Sequence, residues 1–151
     1  WSSRVPLIVR YPKMIRPKSL NDRMVLNIDI APTVLDLAGL DVPESMHGRS
    51  TRPLLEGGDA EWRDDWLYEY YEYPAVHMVR ANYGVRTERY KYIWYPPYKD
   101  DKSDEPAEFE LYDLRNDPGE KDNLYGRPEY RELAAKLHTR LEQLRRETGE
   151  Q

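Results

Sequence analysis

The sequence predicts a fold of the α/β (α+β) class: the end of a large α/β domain, followed by a small four-stranded antiparallel sheet that a C-terminal helix covers. Three observations predict it. A buried-strand pattern followed by a helix pattern opens the chain, the apolar period changes to two after Gly57-Gly58-Asp59, and the last segment carries leucines at helical spacing. We therefore divide the chain into residues 1–58 and residues 59–151.

The opening segment predicts half of an α/β unit. Residues 5–9 are continuously apolar, which is typical of a strand buried on both faces of a parallel sheet. A basic loop, residues 12–24, follows. Residues 27–39 then predict a helix that Asn27 or Asp29 caps. Because no Met or leader precedes this strand, we expect residues before Trp1 to be missing, and the unpaired strand to favour self-association.

The second half predicts four strands and a helix. The strand patterns cover residues 66–73, 83–87, 90–95 and 108–113, and the charged segment 99–108 predicts a mobile loop. The helix spans about residues 128–148, and its apolar stripe should pack on the sheet. The candidate core residues are Trp66, Tyr68, Tyr92, Phe109, Leu133, Leu137 and Leu141.

Composition excludes several classes of protein. The net charge of −5 argues against a nucleic-acid binder, and no apolar run approaches the roughly 20 residues of a membrane span. Because Cys is absent, the chain contains no disulfide framework, thiolate nucleophile or Cys-based zinc site. The absence of Cys does not indicate one cellular compartment over another. Thirteen Tyr and four Trp suit half-buried sheet faces and binding grooves.

Five segments occur in a characteristic order: VPLIVRYP, NIDIAPTVLDLAGL, MHGRSTRPLLEG, YGVRTERYKYI and FELYDLRNDPGEKDNL. This series resembles the C-terminal third of type I, formylglycine-dependent sulfatases of the alkaline-phosphatase-like superfamily. The resemblance runs from about Arg4 to the final helix. It implies that residues 1–58 hold the last strand and helix of the N-terminal catalytic domain, and that residues 59–151 form the family's C-terminal subdomain.

The resemblance also implies where the chemistry lies. The family makes formylglycine from the first residue of a C/S-x-P-x-R motif, and a divalent metal, calcium, holds the sulfate. No Cys is present and no Ser begins such a motif. The family's metal ligands lie upstream of the segment that starts near Val5. We therefore name no catalytic residue and no metal ligand in this chain, and expect it to be inactive alone.

Two residues are candidates for substrate binding, His77 and Arg80. The loop between the first C-terminal strand and the hairpin carries both, and in the sulfatases that the chain resembles such loops can reach the sugar beyond the sulfate. Imidazole and guanidinium groups donate hydrogen bonds to hydroxyl, carboxylate or sulfate oxygens. We expect His47 to form a structural hydrogen bond to the backbone and His138 to lie on the surface. The acidic pairs Asp64-Asp65, Asp100-Asp101 and Asp104-Glu105 predict solvated loops.

Three hypotheses remain open at this point. The chain is the C-terminal part of a sulfatase that acts on a sulfated carbohydrate, a stand-alone carbohydrate-binding or interaction module, or the same region of a related phosphodiesterase or phosphonate hydrolase. The partners expected under the first are the missing N-terminal catalytic domain and a sulfated sugar, with neither nucleic acid nor membrane. Self-association through residues 5–9 is expected as well.

Overall fold

The computed structural model describes residues 5–58, 60–72, 79–100 and 103–149. Two compact units divide the chain, Trp1–Arg63 and Asp64–Gln151. The helices are α1 (Ile30–Leu37), α2 (Arg52–Leu55) and α3 (Arg131–Glu147), with 3₁₀ turns at Asn27–Asp29 and Pro128–Tyr130. The strands are β1 (Asp65–Tyr70), β2 (Asn82–Thr87), β3 (Tyr90–Tyr95), β4 (Tyr98–Lys99), β5 (Asp104–Glu105) and β6 (Glu108–Asp113).

The predicted strand over residues 5–9 is not formed. Residues 5–10 adopt neither helix nor paired strand, and Val5 and Ile8 are 77% and 90% exposed. A strand is stabilised by backbone hydrogen bonds to a neighbouring strand, and no described residue supplies them to this segment. The apolar pattern of residues 5–9 therefore has no strand partner in the described part of the chain.

The predicted helix of the first unit is formed as α1. Gly39, in the left-handed conformation with φ +75°, follows its last turn, as the sequence indicates. The hydroxyl of Thr33 on α1 lies 3.0 Å from that of Thr51 and accepts the Thr51 backbone N–H at 2.9 Å, which joins α1 to the start of α2. Gly48 passes so close to the carbonyl of Ile28 that a Cβ there would overlap it.

The second unit contains the predicted four-stranded antiparallel sheet, in the order β1-β2-β3-β6. One row across it runs through the register pairs Leu67–Val85, Val85–Tyr92 and Tyr92–Leu111. Helix α3 covers this face, and the cluster of buried side chains lies between them: Val85, Tyr92, Leu111, Leu124, Ala134, Leu137, Leu141 and Leu144. Sheet and helix thus have the predicted arrangement.

The prediction that Trp66 and Tyr68 of β1 belong to the core is wrong. Leu67 packs against the core under α3, and successive side chains of a strand alternate, so Trp66 and Tyr68 point to the other face of the sheet. Tyr92, Leu137 and Leu141 are buried as predicted, and Phe109 and Leu133 pack half-buried around them.

The segment predicted as a mobile charged loop contains a short hairpin. Strands β4 and β5 pair antiparallel, with Tyr98 opposite Glu105 and Lys99 opposite Asp104. The Asp100 carboxylate accepts the backbone N–H of Ser103 at 2.7 Å across the turn. This hairpin leaves the sheet after β3 and returns at β6, so it lies at the same end of the sheet as Asn82, the first residue of β2.

Candidate functional site

The candidate site lies at the end of the sheet where β1 finishes and β2 starts. Tyr70 and Asn82 are register partners there, and the loop between them carries both candidate residues. His77 lies outside the described residues, whereas Arg80 is described and only 8% exposed. The geometry of this end is therefore built from Arg80 and its neighbours.

Arg80 binds both ends of the segment that connects β3 to β6. Its Nη1 donates to Glu105 at 2.8 Å, and its Nη2 donates to the carbonyls of Pro106 at 3.1 Å and, more weakly, Tyr95 at 3.4 Å. Its guanidinium carbon lies 5.5 Å from the centre of the Tyr95 ring, within cation–π range. Arg80 thereby fixes the loop it belongs to against the base of the β4–β5 hairpin.

This end of the sheet retains unused hydrogen-bonding capacity. Among the described residues, the Arg80 Nε donor, the Asn82 Oδ1 acceptor and the Tyr70 hydroxyl are buried without a partner, although Asn82 Nδ2 donates to the Arg80 carbonyl at 2.8 Å. A buried polar group without a partner costs about 1–3 kcal/mol.

The ionisation states at the site favour binding over proton transfer. Hydrogen bonds from Ser103 and Arg80 keep the pKa of Glu105 below its usual range, so Glu105 stays charged. Burial raises the pKa of Tyr95, and burial together with the neighbouring Glu110 raises that of Tyr112 to about 12. Both tyrosines stay neutral hydrogen-bonding groups near neutral pH, and no group of this set is poised as an acid or base there.

The other two histidines differ from expectation. His47 is exposed, and its side chain forms no hydrogen bond with the described residues, so the expected backbone bond is absent. His138, expected on the surface, is half-buried on α3 with Nδ1 3.1 Å from the Tyr92 hydroxyl. Its ring meets those of Trp94 and Phe109 edge-on at 6.0 and 6.4 Å. His138 therefore packs among aromatic side chains of the second unit.

Asp29 in the first unit is a fully buried carboxylate whose role the sequence did not predict. Its oxygens accept the backbone N–H groups of Leu26 and Arg49, both at 2.8 Å, and the guanidinium of Arg63. Burial alone would raise the pKa of Asp29, but these donors lower it. Asp29 therefore joins the start of α1 to two later segments. Its carboxylate caps the 3₁₀ turn Asn27–Asp29 through the Leu26 N–H, but makes no cap hydrogen bond to α1 itself.

The described residues do not fit a calcium site. Among residues 5–58, 60–72, 79–100 and 103–149, no three His, Asp or Glu side chains come together in a way that could hold a metal ion. Calcium takes six to eight oxygen ligands. Two of the acidic pairs are engaged otherwise: Asp65 binds Arg140, and Glu105 binds Arg80. No helix in the described part of the chain is long and apolar enough to cross a bilayer.

The comparison with protein families decides the identity. The family described as "N-sulphoglucosamine sulphohydrolase, C-terminal" matches residues 1–147. The chain belongs to this family of sulfatase C-terminal regions. It is 43% identical to an N-acetylglucosamine-6-O-sulfatase of Bacteroides thetaiotaomicron over 98% of its own length and 25% of that protein's. The chain thus spans about a quarter of this curated relative.

Solved structures agree with this assignment. One, of a protein in complex with its substrate D-glucosamine-2-N,6-O-disulfate, matches with a TM-score of 0.86 and 40% identity over 97% of this chain and 29% of that one. A phosphonate monoester hydrolase of Agrobacterium radiobacter matches with a TM-score of 0.64 and 27% identity over 85% of this chain and 26% of that one. The sulfatase C-terminal fold is therefore present here, and a relative with another activity shares it.

Proposed function

We propose that this chain is the C-terminal part of a sulfatase that hydrolyses sulfate esters of a sulfated carbohydrate. The observation that carries the proposal is the 43% identity to an N-acetylglucosamine-6-O-sulfatase along nearly the whole chain. Residues 1–58 would complete the N-terminal catalytic domain, and residues 59–151 would be the C-terminal subdomain. The reaction would use a formylglycine and a calcium ion held by that catalytic domain.

Within this proposal, the chain contributes substrate selection. His77 and Arg80 would line the substrate end of the cleft and contact the sugar, while upstream residues hold the sulfate. Two properties of Arg80 support its part in this: its Nε has no hydrogen-bond partner among the described residues, and its ion pair with Glu105 holds the loop in place. Rigid presentation lowers the entropy that a loop loses on binding a ligand.

The likeness to a phosphonate monoester hydrolase supports a second candidate, a phosphonate ester hydrolase on the same scaffold. The nucleophile would separate the two, because a C/S-x-P-x-R motif upstream of Trp1 favours the sulfatase and a Thr or unmodified Ser nucleophile favours the phosphoryl enzyme. Fold similarity by itself does not fix activity.

The test compares the full-length protein with the 151-residue chain. We expect the full-length protein to release sulfate from a 6-O-sulfated glucosamine, and to act more slowly on a phenyl phosphonate ester. We expect no metal-dependent sulfate release from the 151-residue chain. Turnover by the chain itself would overturn its assignment as the non-catalytic part, and a preference for the phosphonate would favour the second candidate.

A further inference from the structure

The first 21 residues are strongly basic within an acidic chain. They contain five of the 23 Lys and Arg residues, and none of the 28 Asp and Glu residues, of a chain with a net charge of −5. Four of these cations fall within nine positions: Arg10, Lys13, Arg16 and Lys18. All four are exposed, and none forms an ion pair or hydrogen bond with its side chain among the described residues.

Two consecutive turns hold these cations. The carbonyl of Tyr11 accepts the backbone N–H groups of Met14 and Ile15 at 3.0 and 2.8 Å, and the carbonyl of Arg16 accepts the N–H and hydroxyl of Ser19 at 3.3 and 2.8 Å. Met14 and Ile15, which lie between the cations, are only half-exposed. The segment is thus a pair of ordered turns with charges outside and apolar side chains partly covered.

Arginines elsewhere in the chain are used differently. Seven of them pair with carboxylates: Arg52, Arg63, Arg80, Arg89, Arg127, Arg140 and Arg145. No acidic residue lies between or before the four cations of residues 10–18, since Asp22 is the first one along the chain. Their combined positive potential is therefore available to an anionic partner.

We propose that Arg10, Lys13, Arg16 and Lys18 of the first unit form a binding surface for the anionic groups of a sulfated polysaccharide. The inference rests on the proposed function in one respect, because a sulfatase that acts on a carbohydrate polymer meets a chain with further sulfates beside the one it removes. A guanidinium group can donate two parallel hydrogen bonds to the oxygens of one sulfate group.

One observation favours this partner over a nucleic acid. The chain's net charge of −5 opposes the close approach of a DNA or RNA duplex, whereas a flexible sulfated chain can contact the basic segment alone. Apolar side chains flank the cations and are exposed, Ile8 to 90% and Leu20 to 96%, so an anionic membrane surface is the competing partner that the experiment has to exclude.

The experiment measures binding of fluorescein-labelled heparin to the 151-residue chain by fluorescence anisotropy, at low salt and with added salt. The test variant carries Arg10→Gln, Lys13→Gln, Arg16→Gln and Lys18→Gln. The matched control removes the same charge from exposed cations of the second unit, with Arg115→Gln, Arg131→Gln, Lys136→Gln and Arg146→Gln. Fully desulfated heparin, a short DNA duplex and phosphatidylglycerol vesicles serve as competing probes.

We expect the wild-type chain and the control to bind heparin alike, and the test variant to bind about tenfold more weakly, with a flatter salt dependence, since four screened charge contacts are lost. Desulfated heparin should not bind. Equal loss in the control, no loss in the test variant, or equal binding of DNA or vesicles would overturn the proposal. Because no sulfate release is measured, this result is independent of whether the full-length protein is a sulfatase.

Discussion

Arg140 of α3 and Asp65 of β1 form a two-pronged ion pair. Nε of Arg140 lies 2.6 Å from Oδ2 of Asp65, and Nη2 lies 2.9 Å from Oδ1. The two side chains are 32% and 20% exposed, so solvent screens the pair only in part. The pair links the C-terminal helix to the first strand, which is an edge of the sheet, and so it fixes which way α3 crosses that edge.

A double-mutant cycle should show that this pair contributes to stability. We expect Asp65→Ala and Arg140→Ala to be coupled by about 0.5–1 kcal/mol, because a two-pronged, partly buried pair exceeds a typical surface pair. The measurement is the free energy of unfolding in urea for the two single variants and the double variant. High salt should reduce the coupling, and a coupling of zero at low salt would mean that the helix is held by its apolar face alone.

Leu137→Ala should destabilise the second unit strongly. Leu137 is 5% exposed and belongs to the cluster between α3 and the sheet, so its truncation leaves a cavity. We expect a loss of about 2–5 kcal/mol in the free energy of unfolding. Gln143→Ala, at an exposed position of the same helix, is the matched control and should change stability by less than about 0.5 kcal/mol.

The stability that Asp113 contributes should depend on pH. Its carboxylate accepts hydrogen bonds from Arg89 at 2.6–3.2 Å, from the Arg115 backbone at 3.2 Å and from the Asn116 amide at 2.8 Å. Arg89 first, and then the backbone donors, lower the pKa of Asp113 from 3.8 to about 2. A carboxylate with a lowered pKa contributes its full stabilisation above its ordinary pKa and loses it as the pH falls through the lowered value.

Thermal unfolding of wild type and Asp113→Asn over a pH series tests this. The gap in Tm should be largest and constant above about pH 5, and should close as the pH falls from about 4 to 2, where the wild-type carboxyl becomes protonated. A gap that stays the same down to pH 2 would show that the shape of the side chain matters here and its charge does not.

Residues 5–9 should mediate self-association of the 151-residue chain. Val5, Leu7 and Ile8 are more than half exposed, and the backbone of this segment has no strand partner among the described residues. Exposed apolar segments with free backbone groups pair with other chains. We expect light scattering to detect dimers or larger species, and Ile8→Lys to reduce them. A monomer at all concentrations for the unchanged chain would contradict this.

The strands and helix of the second unit could be predicted because their signals are local. Glu108–Asp113 alternates largely in polarity, Tyr90–Tyr95 is rich in aromatic residues that favour strands, and α3 has its apolar stripe. The face of β1 that packs against the helix could not be predicted, because Trp66, Leu67 and Tyr68 place large apolar side chains on both faces of the strand. Only the pairing of Leu67 with Val85 decides which side meets the helix.

The β4–β5 hairpin and the surroundings of Arg80 depend on contacts between distant segments. The charged composition of residues 99–108 predicts a loop, yet Glu105 is held by Arg80 from 25 positions earlier in the chain. His138 is similar: polar neighbours on α3 suggest a surface position, whereas the ring lies against Tyr92 and Trp94. The sequence places Arg80 in a loop, but it does not indicate which residues Arg80 binds.

The last prediction concerns His77 and Arg80 in the full-length protein. If their loop contacts the sugar, His77→Ala should lower kcat/KM for the natural sugar sulfate by about tenfold or more, since a lost hydrogen bond to a bound substrate costs about 1–3 kcal/mol. A small aryl sulfate, which does not extend to the loop, should be hydrolysed almost as before. Arg80→Gln should have the same selectivity and should also expose the amides of residues 98–105 to hydrogen exchange, because it removes the bond to Glu105. Equal loss on both substrates would indicate a role in folding or chemistry, and no loss on either would place His77 outside the substrate site.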